Sequence, residues 1–178
     1  MLTLVPVTKD NLDDAVFLQH VIFPSYSAEE NYRDAVTGKT KNRYYLVYDG
    51  DACIGITGLY SDPDDPDNAW LGWFGVRGEF RRRHYGSAII ALFEEQARSA
   101  GFRYARIYTD RYDNDTAIAF YTSCGYTSET YDNPDDPACY TYPILIFSKA
   151  LYDDPVPLWN NRSIHLTEQM RKELKEEH

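Results

Sequence analysis

The stretch from Val76 to Ile90 reads VRGEFRRRHYGSAII, and it places three consecutive arginines just before a glycine and an apolar run. Apolar residues then recur every four positions as far as Ala97, and Gly101 follows. This spacing predicts an amphipathic helix over Tyr85–Ala100 that ends at the glycine. The loop before the helix is strongly basic, although the chain as a whole has a formal net charge of -10.

Two predicted strands flank this helix. The apolar run AWLGWFGV over Ala69–Val76 predicts a buried strand, and Ala105–Thr109 predicts another. A strand, a helix and a strand in this order predict a right-handed crossover with the two strands parallel. The β-rich segments Arg43–Tyr48 and Ala52–Tyr60 are separated by DGD and predict an antiparallel hairpin. The predicted fold class is therefore α/β, with a mixed central sheet of about seven strands flanked by helices.

Shorter patterns predict the remaining elements. Ser27 and Glu30 match a capping box, which predicts a short helix from Ala28, and the stretch SDPDDPDN predicts a loop before the buried strand. Three further strands and two helices are predicted at Leu2–Val7, Tyr126–Tyr131 and Tyr140–Ala150, and at Lys9–Ile22 and Asn114–Cys124.

The composition changes after Leu151. The stretch YDDPVPLWNN has the prolines of a tether, and the polar run Ile164–Glu177 predicts a helix. We therefore expect a main domain over residues 1–150 and a proline-containing tether with a C-terminal helix over residues 151–178. This helix and the edge strand Tyr140–Ala150 would suit a homodimer.

Charge and composition disfavour several classes of function. An acidic chain lacks the basic face that nucleic-acid binding needs, and it disfavours an anionic membrane surface. No apolar run approaches membrane-spanning length. Three widely spaced cysteines without a CxxC pair, and an N-terminus without a signal-peptide pattern, predict reduced thiols and a cytoplasmic location. The four histidines are scattered without metal-ligand spacing, so no metal is expected.

The arginine stretch has two interpretations. Surface charge is commonly inert, so the three arginines could be a solvated loop. However, a helix N-terminus that follows a strand presents unpaired N–H groups, and Gly86 would let the backbone approach a ligand closely. Forked guanidinium groups suit phosphate, so this context favours a pyrophosphate cradle. The chain contains neither GxxxxGK[ST] nor GxGxxG, the signatures of nucleoside triphosphate and dinucleotide sites.

Two segments resemble the GNAT superfamily of acetyl-CoA-dependent N-acetyltransferases. The pyrophosphate motif of this family is a strand ending in Val, then Arg/Gln-x-x-Gly-x-Gly/Ala at the start of a helix. Arg81 and Gly86 are in register with it, and His84 stands where the first glycine is usual. The second segment, NDTAIAFYTSCGY, resembles the family signature Asn-x-x-Ala-x-x-x-Tyr with a following Gly-Tyr, and its matches are Asn114, Ala117, Tyr121, Gly125 and Tyr126.

The resemblance implies a splayed GNAT-like sheet and direct transfer of an acetyl group from acetyl-CoA to an amine in a ternary complex. It implies that backbone groups of Phe74, Gly75 and Val76 bind the pantetheine arm, and that Asn114 and Tyr121 contact the cofactor from the following helix. The pyrophosphate would be held by Arg81, Arg82, Arg83, His84, Tyr85, Gly86 and Ser87, with Arg82 or Arg83 reaching the 3′-phosphate.

Tyr121 is the candidate acid for the leaving thiolate, because a phenol with a pKa of ~10 is suited to protonate it. The competing interpretation is core packing, since Tyr121 belongs to an apolar stripe at helical spacing. The predicted strand before the arginines carries no carboxylate, so Asp110 is the candidate base. Asp110 could equally be a turn residue, with water as the base.

We expect the acceptor to be a small or cationic amine, or a basic peptide, and its candidate ligands on the first two helices are Tyr26, Glu29, Glu30 and Tyr32. The two PDDP loops, at Pro63–Pro66 and Pro134–Pro137, either add carboxylates to that site or are rigid, soluble turns. A function of another class is also open: the chain could bind an acyl-CoA without catalysis, as a sensor or structural subunit.

Overall fold

A computed structural model describes residues 1–110, 114–136, 139 and 144–164, with the side chain of Asp110 outside the description. In this part of the chain, eight strands of one mixed sheet and four α-helices are present. This confirms the predicted α/β class. In chain order they are β1 (Leu2–Pro6), α1 (Leu12–Ile22), α2 (Glu29–Val36), β2 (Arg43–Asp49), β3 (Ala52–Asp62), β4 (Asp65–Leu71), β5 (Gly75–Val76), α3 (Tyr85–Ser99), β6 (Tyr104–Asp110), α4 (Asp115–Ser123), β7 (Thr127–Tyr131) and β8 (Ile144–Ala150).

The chain divides into two compact units. Unit 1 comprises Met1–Ser61 and Leu71–Ala100, and unit 2 comprises Asp62–Trp70 and Gly101–His178. None of the described helices is long and apolar enough to cross a membrane.

Unit 1 is built on antiparallel pairing. Strand β2 pairs with β1 and with β3, and the predicted hairpin between β2 and β3 turns at Gly50, which has a φ of +58°. That left-handed conformation is accessible to glycine without steric cost. The two-residue strand β5 also pairs with β3, and the loop after it leads through a short 3-10 helix, Gly78–Phe80, into α3. A core of Val47, Ile54 and Ile89 underlies this loop.

Unit 2 contains the predicted parallel pair. Strands β4 and β6 run parallel in the register Asn68↔Tyr104, Ala69↔Ala105 and Trp70↔Arg106, which confirms the parallel pairing predicted for these two segments. Strand β8 pairs antiparallel with both β6 and β7.

The prediction of one strand over Ala69–Val76 was wrong. Strand β4 ends at Leu71 and β5 begins at Gly75, so the sheet has eight strands. Between them, the N–H of Gly72 donates to the carbonyl of Gly58 (3.1 Å), and Trp73 has a φ of +45°. The apolar run predicted burial throughout, but only Ala69–Leu71 are buried and residues 72–76 are partly buried. Nor does such a run show a change of backbone direction within it.

The stretch SDPDDPDN was also predicted wrongly as a loop. Strand β3 continues to Asp62 and β4 already begins at Asp65, so most of the stretch is extended strand. Proline can occupy edge or terminal strand positions, and the density of Pro and Asp therefore overstated the length of the turn.

The capping box at Ser27 and Glu30 is not formed. Helix α2 begins at Glu29 with Ala28 as its N-cap, and no side chain caps it. The N–H of Ala28 donates instead to Oε1 of Gln19 (2.9 Å), a buried residue of α1 that also donates through Nε2 to the carbonyl of Tyr26 (3.0 Å). Oγ of Ser27 accepts the N–H of Glu29 (3.3 Å), but the N-cap residue Ala28 is held by a contact from another helix, which a local sequence motif could not predict.

Residues 151–164 belong to unit 2 and pack against its strand β4. Trp159 and Ile164 are 3% and 2% exposed, and the ring of Trp159 meets that of Trp70 edge-on at 4.9 Å. The predicted helix Ile164–Glu177 lies outside the described residues apart from Ile164, as does the predicted strand over residues 140–143. The domain boundary after residue 150 stays a prediction.

Candidate cofactor and acceptor site

The loop that leads into α3 has an unusual backbone. Arg82 and His84 both have left-handed conformations, with φ values of 62° and 61°, and His84 is the N-cap of α3. No side chain caps this 15-residue helix. The glycine of the family motif is thus replaced by a histidine that adopts a glycine-like conformation. His84 is exposed.

The three arginines of this loop are exposed and make no ion pair with any described carboxylate. Arg81 donates from Nε to the carbonyl of Val76 (3.1 Å), so this side chain ties the end of β5 to the loop. In a chain with a net charge of -10, three neighbouring guanidinium groups without a described carboxylate partner concentrate positive charge at the start of α3.

The start of α3 is held in place from inside unit 1. The hydroxyl of Tyr85 donates to Oδ2 of Asp49 at the end of β2 (2.6 Å). This hydrogen bond is the main reason that the pKa of the Asp49 carboxyl is lowered. The hydroxyl of Ser87 donates to the carbonyl of His84 (3.0 Å). Gly86 lies in the first turn of the helix.

The segment predicted to contact pantetheine lies directly before this loop. Phe74 precedes β5, whose Gly75 and Val76 pair with Ile56 and Gly55 of β3. A side chain at Gly75 would collide with Ile22 at the end of α1, so the sequence requires glycine here for close packing.

The four predicted acceptor residues occupy different environments. Tyr26 is 45% exposed and Glu30 is exposed, whereas Glu29 forms an i,i+4 ion pair with Arg33 (2.6 Å). Tyr32 is only 1% exposed, and its ring lies 4.8 Å from that of Tyr44. Burial raises the pKa of Tyr32 above its ordinary value, and its position is that of a core residue.

The predicted residues of unit 2 lie around α4. Asn114 is the N-cap of α4 and donates from Nδ2 to Oγ1 of Thr109, which ties the helix to the end of β6. Asp110 is the last residue of β6, but its side chain lies outside the described residues.

Tyr121 is partly buried near the end of α4. Its ring lies 5.3 Å from that of Phe147, and burial raises its pKa to about 12. Both interpretations from the sequence therefore have a counterpart here: the ring packs as a core residue would, and the phenol keeps its proton at any physiological pH.

The structure adds residues that the sequence did not indicate. Gln19 fixes the connection between α1 and α2, as described above. Phe80 lies between two guanidinium groups, with Arg77 and Arg83 at 5.7 and 5.8 Å from its ring centroid. Neither Gln19 nor Phe80 belongs to a motif, and no pattern in the sequence distinguishes Phe80 from an ordinary apolar residue. Among the described residues, no group of three His, Cys, Asp or Glu side chains is placed to hold a metal ion.

Solved structures with a similar fold include several acetyltransferases. A GNAT-family protein from Desulfovibrio desulfuricans has a TM-score of 0.70 at 15% identity, and the match covers 85% of this chain and 100% of the other. A chimeric spermidine N-acetyltransferase from Vibrio cholerae has a TM-score of 0.67 at 16% identity, covering 84% and 95%. The ribosomal-protein-S18-alanine N-acetyltransferase from Escherichia coli has a TM-score of 0.66 at 14% identity, covering 89% and 99%. No curated protein matches the sequence significantly.

These likenesses establish the fold, which is that of an acetyltransferase. The family follows from the sequence itself, because the family model described as Acetyltransferase (GNAT) family matches residues 10–126, more than half of the chain. The chain therefore belongs to the GNAT acetyltransferase family, whose cosubstrate is acetyl-CoA.

Proposed function

We propose that the protein transfers an acetyl group from acetyl-CoA to a primary amine by direct attack in a ternary complex. The observation that carries this proposal is the loop before α3, where three exposed arginines that pair with no described carboxylate precede a helix N-terminus without a side-chain cap. The thioester of acetyl-CoA would supply the acetyl group.

The residues of the loop fit a polyphosphate. Left-handed residues within a turn bring successive N–H groups onto one concave surface, and Arg82 and His84 both adopt this conformation. The positive end of the α3 dipole and the guanidinium groups would add to the attraction for phosphate oxygens. We propose that Arg81 acts partly through its bond to the Val76 carbonyl, which holds the loop against β5.

We propose that Tyr121 stabilises the leaving thiolate mainly as a hydrogen-bond donor. A thiol has an ordinary pKa of ~8.5, so complete transfer from a phenol with a pKa near 12 would cost roughly 5 kcal/mol. A donated hydrogen bond needs no such transfer. The amine loses one proton as its nitrogen bonds to the acetyl carbon, and the sulfur gains one from water after the C–S bond breaks. Asp110, or water, would accept the proton of the amine.

The acceptor proposed is a small or cationic amine. Similar folds occur in a spermidine N-acetyltransferase and in an enzyme that acetylates a ribosomal protein, so small amines and peptide N-termini are both within the range of this fold. The strongly acidic chain favours a cationic acceptor over an anionic one. Tyr26 and Glu30 are the proposed contacts, because they are exposed.

The test is thiol release from acetyl-CoA with a panel of polyamines, aminoglycosides, amino acids and basic peptides. Turnover with one class would establish the transferase and identify its acceptor. We expect Tyr121→Phe to lower kcat about 10²-fold or more while CoA binding stays within about twofold. Equal turnover by wild type and Tyr121→Phe would refute the role of the phenol.

A non-catalytic acyl-CoA-binding protein remains the second candidate. Its specific support is that the segment from β4 to β5, AWLGWFGV, offers no carboxylate as a base. Tight binding of CoA without turnover on any amine of the panel would favour this function. No binding of CoA by the folded protein would contradict both candidates.

A further inference from the structure

Three arginines precede α3, and their side chains are not equivalent. Arg81 is tied to the carbonyl of Val76 through Nε (3.1 Å), and Arg82 has no contact of this kind among the described residues. Arg83 instead places its guanidinium carbon 5.8 Å from the ring centroid of Phe80. A guanidinium group in cation–π contact with an aromatic ring is restricted to fewer orientations than one that is fully solvated.

The ring that carries Arg83 is itself firmly held. Phe80 and Tyr85 pack against the core cluster of unit 1, with their rings 6.2 Å apart and close to perpendicular. The hydroxyl of Tyr85 is bonded to Asp49, and the N–H of Phe80 donates to the carbonyl of Arg77 (2.9 Å). Phe80 is therefore a fixed platform beneath an exposed charge.

Arg77, which contacts the same ring, also makes hydrogen bonds and an ion pair. It donates from Nη1 to the carbonyl of Cys53 (3.0 Å) and pairs with Glu79 (2.6 Å), and its backbone N–H donates to the carbonyl of Ile54 (2.9 Å). The charge of Arg77 is thus partly neutralised, and its position depends little on Phe80. Among the four described arginines between Arg77 and Arg83, only Arg83 combines a neighbouring aromatic ring with a guanidinium group that no described carboxylate neutralises.

We propose that Phe80 is a positioning residue that orients Arg83 to bind a phosphate of CoA, so that Arg83 contributes more to cofactor affinity than Arg82. The inference rests on the proposed function, since it concerns the same cofactor site. Orientation before binding reduces the conformational entropy that is lost when the charge-assisted hydrogen bonds form.

The experiment is a double-mutant cycle on the dissociation constant for CoA, measured by calorimetric titration. We expect Arg83→Gln to weaken binding about tenfold. Phe80→Leu, which keeps an apolar side chain in the core, should weaken binding about two- to fivefold in the wild-type background. In the Arg83→Gln background, Phe80→Leu should have no further effect. In the Arg82→Gln background, it should keep its full effect.

Arg83→Lys makes the test independent of the folding of the Phe80 variant, because residue 83 is exposed. Lysine keeps the charge but loses the planar stacking group, so we expect affinity between those of wild type and Arg83→Gln. Parallel titrations with 3′-dephospho-CoA identify the phosphate: a loss confined to CoA supports the proposal at the 3′-phosphate, and a loss with both ligands supports it at the pyrophosphate.

The proposal is overturned if Phe80→Leu weakens binding equally with and without Arg83, because Phe80 then acts on the loop as a whole. It is also overturned if Arg83→Gln or Arg83→Lys binds CoA as tightly as wild type does. These outcomes differ from a failure of the proposed function, in which the folded wild-type protein would not bind CoA at all.

Discussion

Replacement of Gly72 by alanine should be among the most destabilising single-methyl changes in the protein. Gly72 lies between β4 and β5, and a Cβ at this position would fall within the ring of Tyr60. Tyr60 is 8% exposed, its ring meets that of Tyr44 at 5.5 Å, and its hydroxyl accepts a hydrogen bond from Asn31 (3.4 Å). The ring therefore has little free space into which it can move.

The expected loss of unfolding free energy follows from the contacts that the ring of Tyr60 would lose. Overpacking a dense core costs ~1–3 kcal/mol, and a displaced ring also loses an aromatic contact of ~0.5–1.5 kcal/mol and a long hydrogen bond of at most ~1 kcal/mol. Together these terms span roughly 1.5–5.5 kcal/mol, and we expect a loss of unfolding free energy near the middle, about 3 kcal/mol. With a slope of ~2 kcal/mol/M, the urea midpoint falls by about 1.5 M.

The assay is urea unfolding followed by far-UV circular dichroism and tryptophan fluorescence. Gly78→Ala is the matched control, because nothing lies within 4 Å of a Cβ there and its φ is not in the left-handed region. That control should stay within ~0.5 kcal/mol of wild type. Removing the ring should relieve the clash, so Tyr60→Leu should lose much less stability in the Gly72→Ala background than in wild type. A midpoint for Gly72→Ala close to that of Gly78→Ala would refute this account of the break between β4 and β5.

Three further predictions use the same unfolding assay. Gln19→Leu should lower the unfolding free energy by about 2–3 kcal/mol, because two hydrogen bonds are lost and a buried N–H is left unpaired. The control His20→Ala, on the exposed face of the same helix, should be nearly neutral. Equal effects of the two substitutions would contradict the bridging role of Gln19. Arg106→Met should lower the unfolding free energy by ~3 kcal/mol or more, because Arg106 is 0% exposed and donates to Asn68 (2.8 Å), Ser148 (2.6 Å) and the carbonyl of Pro157 (2.8 Å). The control Arg103→Met, at an exposed position, should cost much less. A larger loss for Arg103→Met than for Arg106→Met would count against the packing of residues 151–164. Burial raises the pKa of Tyr121 to about 12, so its phenol contributes fully to the unfolding free energy below pH ~10. This contribution of roughly 3 kcal/mol is lost as the pH rises from ~10 to ~12, and the unfolding free energy of Tyr121→Phe should fall less steeply over that window. An unchanged pH profile would show that the phenol is not desolvated.

Most elements of the fold were predictable because their patterns are local. The helix Tyr85–Ser99 shows apolar residues at helical spacing and a terminating glycine at Gly101, whose φ is +88°. The hairpin at Gly50 was similarly fixed by turn chemistry. The predictions that failed involve contacts between distant segments: the capping box lost to Gln19 of another helix, and the single strand over Ala69–Val76 is interrupted where Tyr60 packs on Gly72.

The candidate site shows the same division. Arg81, Gly86 and the residues of the second motif could be placed from sequence because they stand at fixed spacing beside a strand and a helix. The burial of Tyr32 could not, since it follows from the way α2 packs, whereas the pairing of Glu29 with Arg33 is an i,i+4 contact within α2. Phe80 gave no signal at all, because stacking with Arg83 depends on the path of a loop rather than on composition.

The sequence by itself determined that this chain is an acidic α/β protein with a basic loop at a helix start, and the periodicity and spacing of its residues sufficed for that. Tertiary structure alone decided where the buried strand breaks, that His84 takes the conformation usually left to glycine, and which arginine is stacked on an aromatic ring. Backbone direction and side-chain pairing at these positions depend on packing against residues far away in the chain, and a local pattern contains no information about such neighbours.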